Sequence, residues 1–288
     1  MQTVDVGLNF WLTQWNWQPS IIVGCAGIIA LYVYAVGPLR VKYHLSESFE
    51  TWRGVCFVLG VGIIFLSLFT ALDKLGDDYL FSAHMVQHLF LTVVGPPLMV
   101  LGTPGWLWKA VFRNQTLFKL GKFVTYPAIA FFLYNADFWL WHTPPLYDAT
   151  LTNDYIHILE HLTFIVFAVI YWWPVLNTSE ELPRLSIGGQ VLYIFLSGMP
   201  TVALGAGLTF ADPLYTPYIH AARVWGLSPA TDQQLGGLIM WIPGSILNIV
   251  IVSILFIQWM QLQDKKQHAK EALLYDDDVE EEEEIETV

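Results

Sequence analysis

Long apolar runs separated by short polar segments recur along the whole chain. Each run is long enough to cross about 30 Å of hydrocarbon at a helical rise of about 1.5 Å per residue. A backbone in lipid must satisfy its own hydrogen bonds, and these runs are too long and too apolar for barrel strands, so they predict helices. The predicted membrane-spanning helices are 20–37, 53–72, 80–101, 122–141, 156–176, 189–210 and 234–259.

Glycine and proline interrupt three of these predicted helices. They form Gly95-Pro96-Pro97 in the third, Gly198-Met199-Pro200 in the sixth and Pro243-Gly244 in the seventh. Each proline removes a backbone hydrogen bond, which lipid tolerates only where a neighbouring group or water satisfies the freed carbonyl. We expect kinks that serve helix packing at these positions.

The composition supports this class of protein and excludes others. Of the 288 residues, 55% are hydrophobic and only 13% are charged, about half the charged fraction of an ordinary soluble domain. A soluble globular enzyme and a disordered chain are therefore excluded, and no basic patch suited to nucleic acid is present in the sequence. We predict an all-α polytopic protein, a bundle of seven transmembrane helices that has the lipid bilayer as its solvent and no nucleic-acid partner.

The net charge of −12 is concentrated at the C-terminus. The segment DDDVEEEEEIETV, from Asp276 onward, holds nine carboxylates and no cation. Such a segment cannot bury enough apolar surface to fold. The predicted domains are an extracytoplasmic N-terminal segment over 1–19, a seven-helix transmembrane domain over 20–262 and a disordered acidic cytoplasmic tail over 263–288. The first residues lack the basic region and cleavage site of a signal peptide.

Lysine and arginine are concentrated in alternate loops. The first and third loops and the C-terminal flank carry Arg40, Lys42, Arg53, Lys109, Arg113, Lys119, Lys122, Lys265, Lys266 and Lys270. The opposite loops are acidic or neutral apart from Lys74 and Arg223. Because short cytoplasmic loops carry the excess of positive charge, we predict an N-terminus outside the cell and a C-terminus in the cytoplasm.

Five histidines fall at the predicted extracytoplasmic ends of three helices. They are His84 and His88 in HMVQH, His142 at the end of the fourth helix, and His157 and His161 in HILEH. Residues four apart share a helix face at about 5–6 Å, so each HxxxH pair can hold one metal ion. Imidazole suits copper, zinc, iron and nickel, and copper(II) binds tightest of the divalent ions. We predict that these five histidines bind one or two metal ions, with copper favoured.

Three other interpretations of the histidines stay open. The string HILEH matches the H-x-x-E-H pattern of some zinc peptidases, with Glu160 as general base, although Glu160 is expected to point about 100° away from His161. Two histidines on different helices also suit bis-imidazole haem ligation. The histidines could instead pair structurally with nearby polar groups, or be oriented by them as metal ligands. Those groups are Gln87, Asp137, Asp148, Asp154 and Glu160.

His220 is also predicted to lie at the extracytoplasmic face, in the loop after the sixth helix, and we expect it not to be a metal ligand. Cys25 and Cys56 lie in separate apolar runs without a CxxC spacing, which predicts small core residues rather than a disulfide or a thiolate metal site. The candidate site is therefore built on imidazoles.

The chain resembles the seven-helix CtaG family, assembly factors for caa3-type cytochrome c oxidase. The resemblance is carried by FSAHMVQHLFLTVVGPPLMVLGTP (81–104), WLWHTPPLYDATLTNDYIHILEHLTFIVFAVIYWWPV (139–175) and DQQLGGLIMWIPGS (232–245). It covers most of the chain from about 20 to 262, and the acidic tail lies outside it. The positions matching the family's histidine motifs are His84, His88, His142, His157 and His161.

The resemblance implies a function and a location. It implies a non-catalytic assembly factor in the bacterial cell membrane, with cytochrome c oxidase subunits as partners, that supplies copper to a copper centre of the oxidase. The absence of a cysteine-based transfer motif is unusual for such a role, because copper(I) handover usually uses soft thiolates. The alternative is a zinc-dependent membrane hydrolase that uses the same histidines. Whether the protein forms a homodimer stays open.

Overall fold

The computed structural model describes residues 3–182 and 184–286, most of which form helices. The helices are α1 (Leu8–Thr13), α2 (Pro19–Tyr34), α3 (Arg40–Lys42), α4 (Thr51–Phe69), α5 (Ala71–Asp78), α6 (Phe81–Leu89), α7 (Gly95–Gly102), α8 (Gly105–Val111), α9 (Gln115–Val124), α10 (Pro127–Trp141), α11 (Pro144–Thr150), α12 (Asp154–Leu176), α13 (Ile187–Phe210), α14 (Thr216–His220) and α15 (Pro229–Glu286). One π-helical turn, Ala35–Leu39, joins α2 to α3, and another, Phe90–Val94, joins α6 to α7. Two short strands, β1 (Thr3–Val4) and β2 (Arg223–Val224), pair in parallel.

Helices long and apolar enough to cross a membrane occur where the sequence predicts them. Within the described ranges they are Pro19–Lys42, Thr51–Phe69, Phe81–Gly102, Asp154–Leu176, Ile187–Phe210 and Pro229–His268. The predicted fourth helix is instead the pair α9 and α10, which meet at a 68° bend. The bend falls before Pro127 because a proline disfavours the helical conformation of the preceding residue, and Tyr126 is extended there. Counted as one broken span, this pair gives the predicted seven.

The last helix extends beyond the predicted end of the bundle. α15 continues to Glu286, and its residues 261–268 are exposed. The segment predicted to be disordered from residue 263 is therefore helical in the structure as far as Glu286. The domain boundaries and the direction in which the chain crosses the membrane stay predictions.

The Gly-Pro-Pro interruption of the third span produces the π-helical turn before α7. Pro96 has no N–H to donate to the carbonyl of Thr92, four residues earlier. The indole Nε1 of Trp172 on α12 donates to that carbonyl oxygen at 3.0 Å instead. Gly95 then allows close packing on α4, since a Cβ added at Gly95 would lie 2.6 Å from Cγ1 of Ile64 on that helix. The kink serves packing, as the sequence predicts.

The N-terminal segment folds onto one end of the bundle. β1 pairs with β2, and Val6 and Phe10 pack against Ala71 and Leu75 of α5. We call α1, α5, β1 and β2 the end cap. Because α5 leads directly into α6, the end cap lies at the end of the bundle where α6 begins. The N-terminal segment and the predicted histidine site are therefore on the same side of the protein.

Candidate metal centre

Three helices bring the five predicted histidines together beneath the end cap. On α6 the ring centroids of His84 and His88 lie 4.3 Å apart, and on α12 those of His157 and His161 lie 4.2 Å apart. Across the helices, His84 lies 5.4 Å from His157 and His88 lies 5.7 Å from His161. His142, directly after α10, lies 5.8 Å from His88. These side chains form one cluster, which we call the histidine cluster.

Local capping fixes where the two HxxxH helices begin. The carboxylate of Asp232 on α15 accepts the backbone N–H of Phe81 at 2.8 Å and that of Ser82 at 3.1 Å, at the start of α6. The side chain of Asn153 accepts the N–H groups of Tyr155 and Ile156, at the start of α12. Such caps satisfy backbone donors that a helix leaves free in its first turn. Both HxxxH pairs therefore lie within the first turns of their helices.

Two groups of side chains have the geometry to hold a metal ion. One ligand atom from each of His84, His88, Glu160 and His161 lies within 4.8 Å of the others, and all four residues are buried. Asp77, His84 and His157 form a second such group. His84 belongs to both, so the two groups adjoin.

Several buried polar atoms of the histidine cluster and of Glu160 have no hydrogen-bond partner. Among residues 3–182 and 184–286, the following buried atoms have no hydrogen-bond partner: Nε2 of His84, His142, His157 and His161, both ring nitrogens of His88, and both carboxylate oxygens of Glu160. A buried polar group left in this state costs about 1–3 kcal/mol. A metal cation would satisfy several of these lone pairs at once, because neutral imidazole and carboxylate are both metal ligands.

In two of the histidines, a hydrogen bond to Nδ1 determines which ring nitrogen is free to bind a metal ion. Nδ1 of His142 lies 2.7 Å from the carbonyl oxygen of Phe138, which can only accept. Tyr218 donates its hydroxyl to the carbonyl of Gly76 at 2.8 Å, so its oxygen accepts from Nδ1 of His84 at 3.1 Å. With the proton on Nδ1, both rings present the lone pair of Nε2 to the cluster. A bond from the other ring nitrogen is the usual way in which proteins orient metal-bound histidine.

The carboxylate of Glu160 lies between histidines of two helices. Its Oε1 is 3.9 Å from Nε2 of His88, and its Oε2 is 4.0 Å from Nε2 of His157. These distances are too long for hydrogen bonds. Two atoms that each lie about 2.1 Å from one ion are roughly 3.4 Å apart in tetrahedral geometry and about 4.2 Å apart when opposite. The observed separations lie between these two values, so each histidine could share an ion with the nearer oxygen of Glu160.

Asp77 on α5 faces the cluster from the end cap. Its Oδ1 is 3.5 Å from Nδ1 of His84 and its Oδ2 is 3.6 Å from Nδ1 of His157. Burial raises the pKa of Asp77 well above its usual range, and the negative charges of Asp73, Asp78 and Glu160 raise it further. The several carboxylates at this end of the bundle favour the binding of a cation.

Two of the polar residues predicted to orient the histidines have other partners. Gln87 donates to Ser67 and Asp73, and Asp137 accepts from the indole of Trp141. The expectation that Glu160 points away from His161 is also wrong, because both side chains reach the same group of ligand atoms. His220 is exposed at the end of α14.

Sequence reasoning missed Asp77 and Tyr218 as neighbours of the cluster. For Asp77 a signal was present, because Asp73 and Asp77 are four residues apart in the short loop that precedes HMVQH. Tyr218 lies 134 residues from His84 and carries no local pattern that connects the two. Only the packing of α14 on the bundle reveals it.

The fold and the cluster define a class of protein, a multi-pass helical membrane protein with a buried group of histidines and carboxylates that could hold a metal ion. Its sequence matches the cytochrome c oxidase caa3 assembly factor family over residues 30–262, so the chain belongs to this family. The family resemblance carried by the histidine-containing segments is thereby confirmed.

Curated proteins similar to the chain come from mycobacteria. Uncharacterized proteins of Mycobacterium bovis and Mycobacterium tuberculosis are each 24% identical to it over 273 residues, and one of Mycobacterium leprae is 22% identical over 279 residues. The alignments cover 88% of this chain but 41% of each relative, so the chain spans less than half the length of these proteins. No solved structure matches the chain significantly.

Proposed function

We propose that the protein binds copper through the histidine cluster and helps to deliver it to caa3-type cytochrome c oxidase. Membership of the caa3 assembly factor family supports the assembly role. The observation that carries the metal-binding part is the convergence of buried, unpartnered ligand atoms from His84, His88, Glu160 and His161. His142 and His157 complete the proposed ligand set, because each has a buried Nε2 without a partner and a ring beside that of His88 or His161.

The donor set favours copper among the common metals. Five imidazoles and one carboxylate suit a borderline ion, and copper(II) forms the most stable complexes of the divalent first-row series. Cys25 and Cys56 are free and lie outside both candidate groups, so no thiolate contributes to the proposed site.

The proposed site faces the outside of a bacterial cell membrane. Lys and Arg in the first and third loops and the C-terminal flank favour a cytoplasmic location for the opposite end of the bundle. The end cap, which includes the N-terminal segment, then lies on the outer face above the cluster. A copper ion held there lies near the outer face of the membrane, where it can be passed to a subunit of the oxidase in the same membrane.

Metal content of the purified full chain tests the proposal. We expect near-stoichiometric copper in the wild type and its loss in a His84→Ala/His88→Ala double variant. The matched control is His220→Ala, which removes an exposed histidine outside the cluster and leaves copper unchanged. Oxidase copper content in cells that carry each variant then tests delivery. Loss of oxidase activity while the double variant still holds copper would contradict the proposal.

The zinc-dependent hydrolase remains the alternative, and Glu160→Gln separates the two functions. If Glu160 is a general base, the variant keeps zinc and loses turnover. If Glu160 is a ligand, as its distances to His88 and His157 favour, the variant loses affinity for the metal itself. Asp154→Asn, which changes an exposed carboxylate on the first turn of the same helix, is the control and is expected to bind metal like the wild type.

A further inference from the structure

The two groups that could hold a metal ion are largely buried, and Asp77 and His157 are the most exposed of their residues. His84 and Glu160 have no exposed surface, His88 is 2% exposed and His161 8%. The side chain of Asp77 is 23% exposed and that of His157 is 14% exposed. An ion that moves between solvent and the buried atoms through this part of the end cap must therefore pass these two side chains.

The ring of His157 connects the surface to the interior. Its Nδ1 lies 3.6 Å from Asp77, and its Nε2 lies 4.0 Å from the buried carboxylate of Glu160. Asp77 also lies 3.5 Å from His84, which belongs to the buried group. The nearby cation Lys74 pairs with Asp78 rather than with Asp77. A carboxylate, a largely buried imidazole and a fully buried imidazole thus follow one another inward.

We propose that Asp77 and His157 form an outer site through which the metal ion enters and leaves the buried part of the histidine cluster. The inference rests on the proposed function, because it requires the cluster to bind a metal. At the outer site the carboxylate attracts the hydrated ion and His157 replaces part of its water. The ion then exchanges these ligands for the imidazoles of His84, His88 and His161 and the carboxylate of Glu160. The outer site lowers the barrier for movement in both directions and adds little to the final affinity.

A second possible route for the ion reaches the histidine cluster without passing Asp77. A groove of about 170 Å³ between α2, α4 and α12 also reaches His157 and His161. Gly24 lines this groove, and a Cβ added there meets nothing within 4 Å. A Gly24→Phe variant therefore obstructs the groove without a backbone clash, and it tests whether the ion travels along it.

The experiment measures the kinetics of Co²⁺ binding to the metal-free full chain in detergent, since Co²⁺ bound by imidazole and carboxylate absorbs visible light. Loading is followed after mixing with Co²⁺, and release after mixing the loaded protein with excess EDTA. For Asp77→Asn we expect the loading rate and the release rate to fall by a similar factor, with the dissociation constant little changed. Asp5→Asn is the control, since it removes an exposed carboxylate of the N-terminal segment and leaves the pair of Lys74 and Asp78 in place. This variant and Gly24→Phe are expected to keep wild-type rates.

Each other outcome overturns the inference in a recognisable way. Faster release with weaker affinity in Asp77→Asn would make Asp77 an orienting partner of His84 and His157 rather than part of an entry site. Unchanged rates in Asp77→Asn combined with slow rates in Gly24→Phe would assign the route to the groove. If the wild type gives no Co²⁺ absorption and binds no copper, the proposed function itself fails, which is distinct from both kinetic results.

Discussion

Gln87 on α6 donates a hydrogen bond to Oδ1 of Asp73 on α5 at a distance of 2.7 Å. The other carboxylate oxygen, Oδ2, accepts from the side chain of Asn16 at 2.6 Å. This buried carboxylate thus ties together α6, the end cap and the chain that leads into α2. Because Asp77 follows Asp73 by one helical turn, the same link positions Asp77 above the histidine cluster.

Asp73 makes the stability of the protein depend on pH. Burial raises the pKa of Asp73 from 3.8 to about 6. The hydrogen bonds from Gln87 and Asn16 lower this pKa, but the effect of burial is larger. The folded protein therefore holds this proton more tightly than the unfolded chain does. The resulting stabilisation is present in full below about pH 4 and is lost as the pH rises through 6, by an amount on the order of 3 kcal/mol.

The measurement is the difference in unfolding free energy between the wild type and Asp73→Asn in detergent, at several pH values from 4 to 7. We expect the wild type to lose stability relative to the variant as the pH rises over this range. Asp5→Asn, which changes an exposed carboxylate near the end cap, serves as the control. A wild-type advantage that grows with pH would contradict the raised pKa.

Removal of the Tyr218 hydroxyl should weaken metal binding without removing a ligand. This oxygen accepts from Nδ1 of His84 and keeps Nε2 available to the cluster. We expect Tyr218→Phe to lower metal affinity about 10–100-fold, the usual effect of losing such a partner. Titration with copper against a competing chelator measures the change. Tyr147→Phe is the control, since its hydroxyl lies 3.3 Å from that of Tyr218 and has no bond to His84, and an equal loss in both variants would rule out this specific role.

The indole of Trp172 should stabilise the kinked third span. It donates to the carbonyl of Thr92, which Pro96 cannot satisfy. Trp172→Phe keeps an aromatic side chain but leaves this buried carbonyl unpaired, at an expected cost of about 1–3 kcal/mol in unfolding free energy. Trp139→Phe, whose indole donates to Pro200 at an exposed position, should cost less. Thermal unfolding of both variants in detergent checks that Trp172→Phe is the more destabilising.

Gly60 should be intolerant of even a methyl group. An added Cβ would lie 2.7 Å from the carbonyl oxygen of Gly95, so α4 and α7 would have to separate. We expect Gly60→Ala to destabilise the protein by about 1–3 kcal/mol through overpacking. Gly62→Ala on the same helix is the matched control, because an added Cβ there meets nothing within 4 Å. Equal unfolding midpoints for the two variants would contradict this close packing.

The sequence alone predicted a helical membrane protein, the positions of most membrane-spanning helices and the location of five histidines near the same face of the membrane. These features follow from local rules. Hydropathy over about 20 residues reports a span, and a spacing of four places both histidines of a pair on one helix face. The resemblance to the caa3 assembly factors rests on contiguous segments and could likewise be found without a structure.

Only the tertiary structure decided which other groups join the histidines. Asp77 reaches the cluster because Asp73 ties α5 to α6, and Tyr218 does so because α14 packs against the bundle. Glu160 faces His88 of another helix, although spacing along α12 suggested a different direction, because its long side chain lies at the contact between α6 and α12. Residues distant in sequence become neighbours through helix packing, and the spacing within one helix carries no information about that packing.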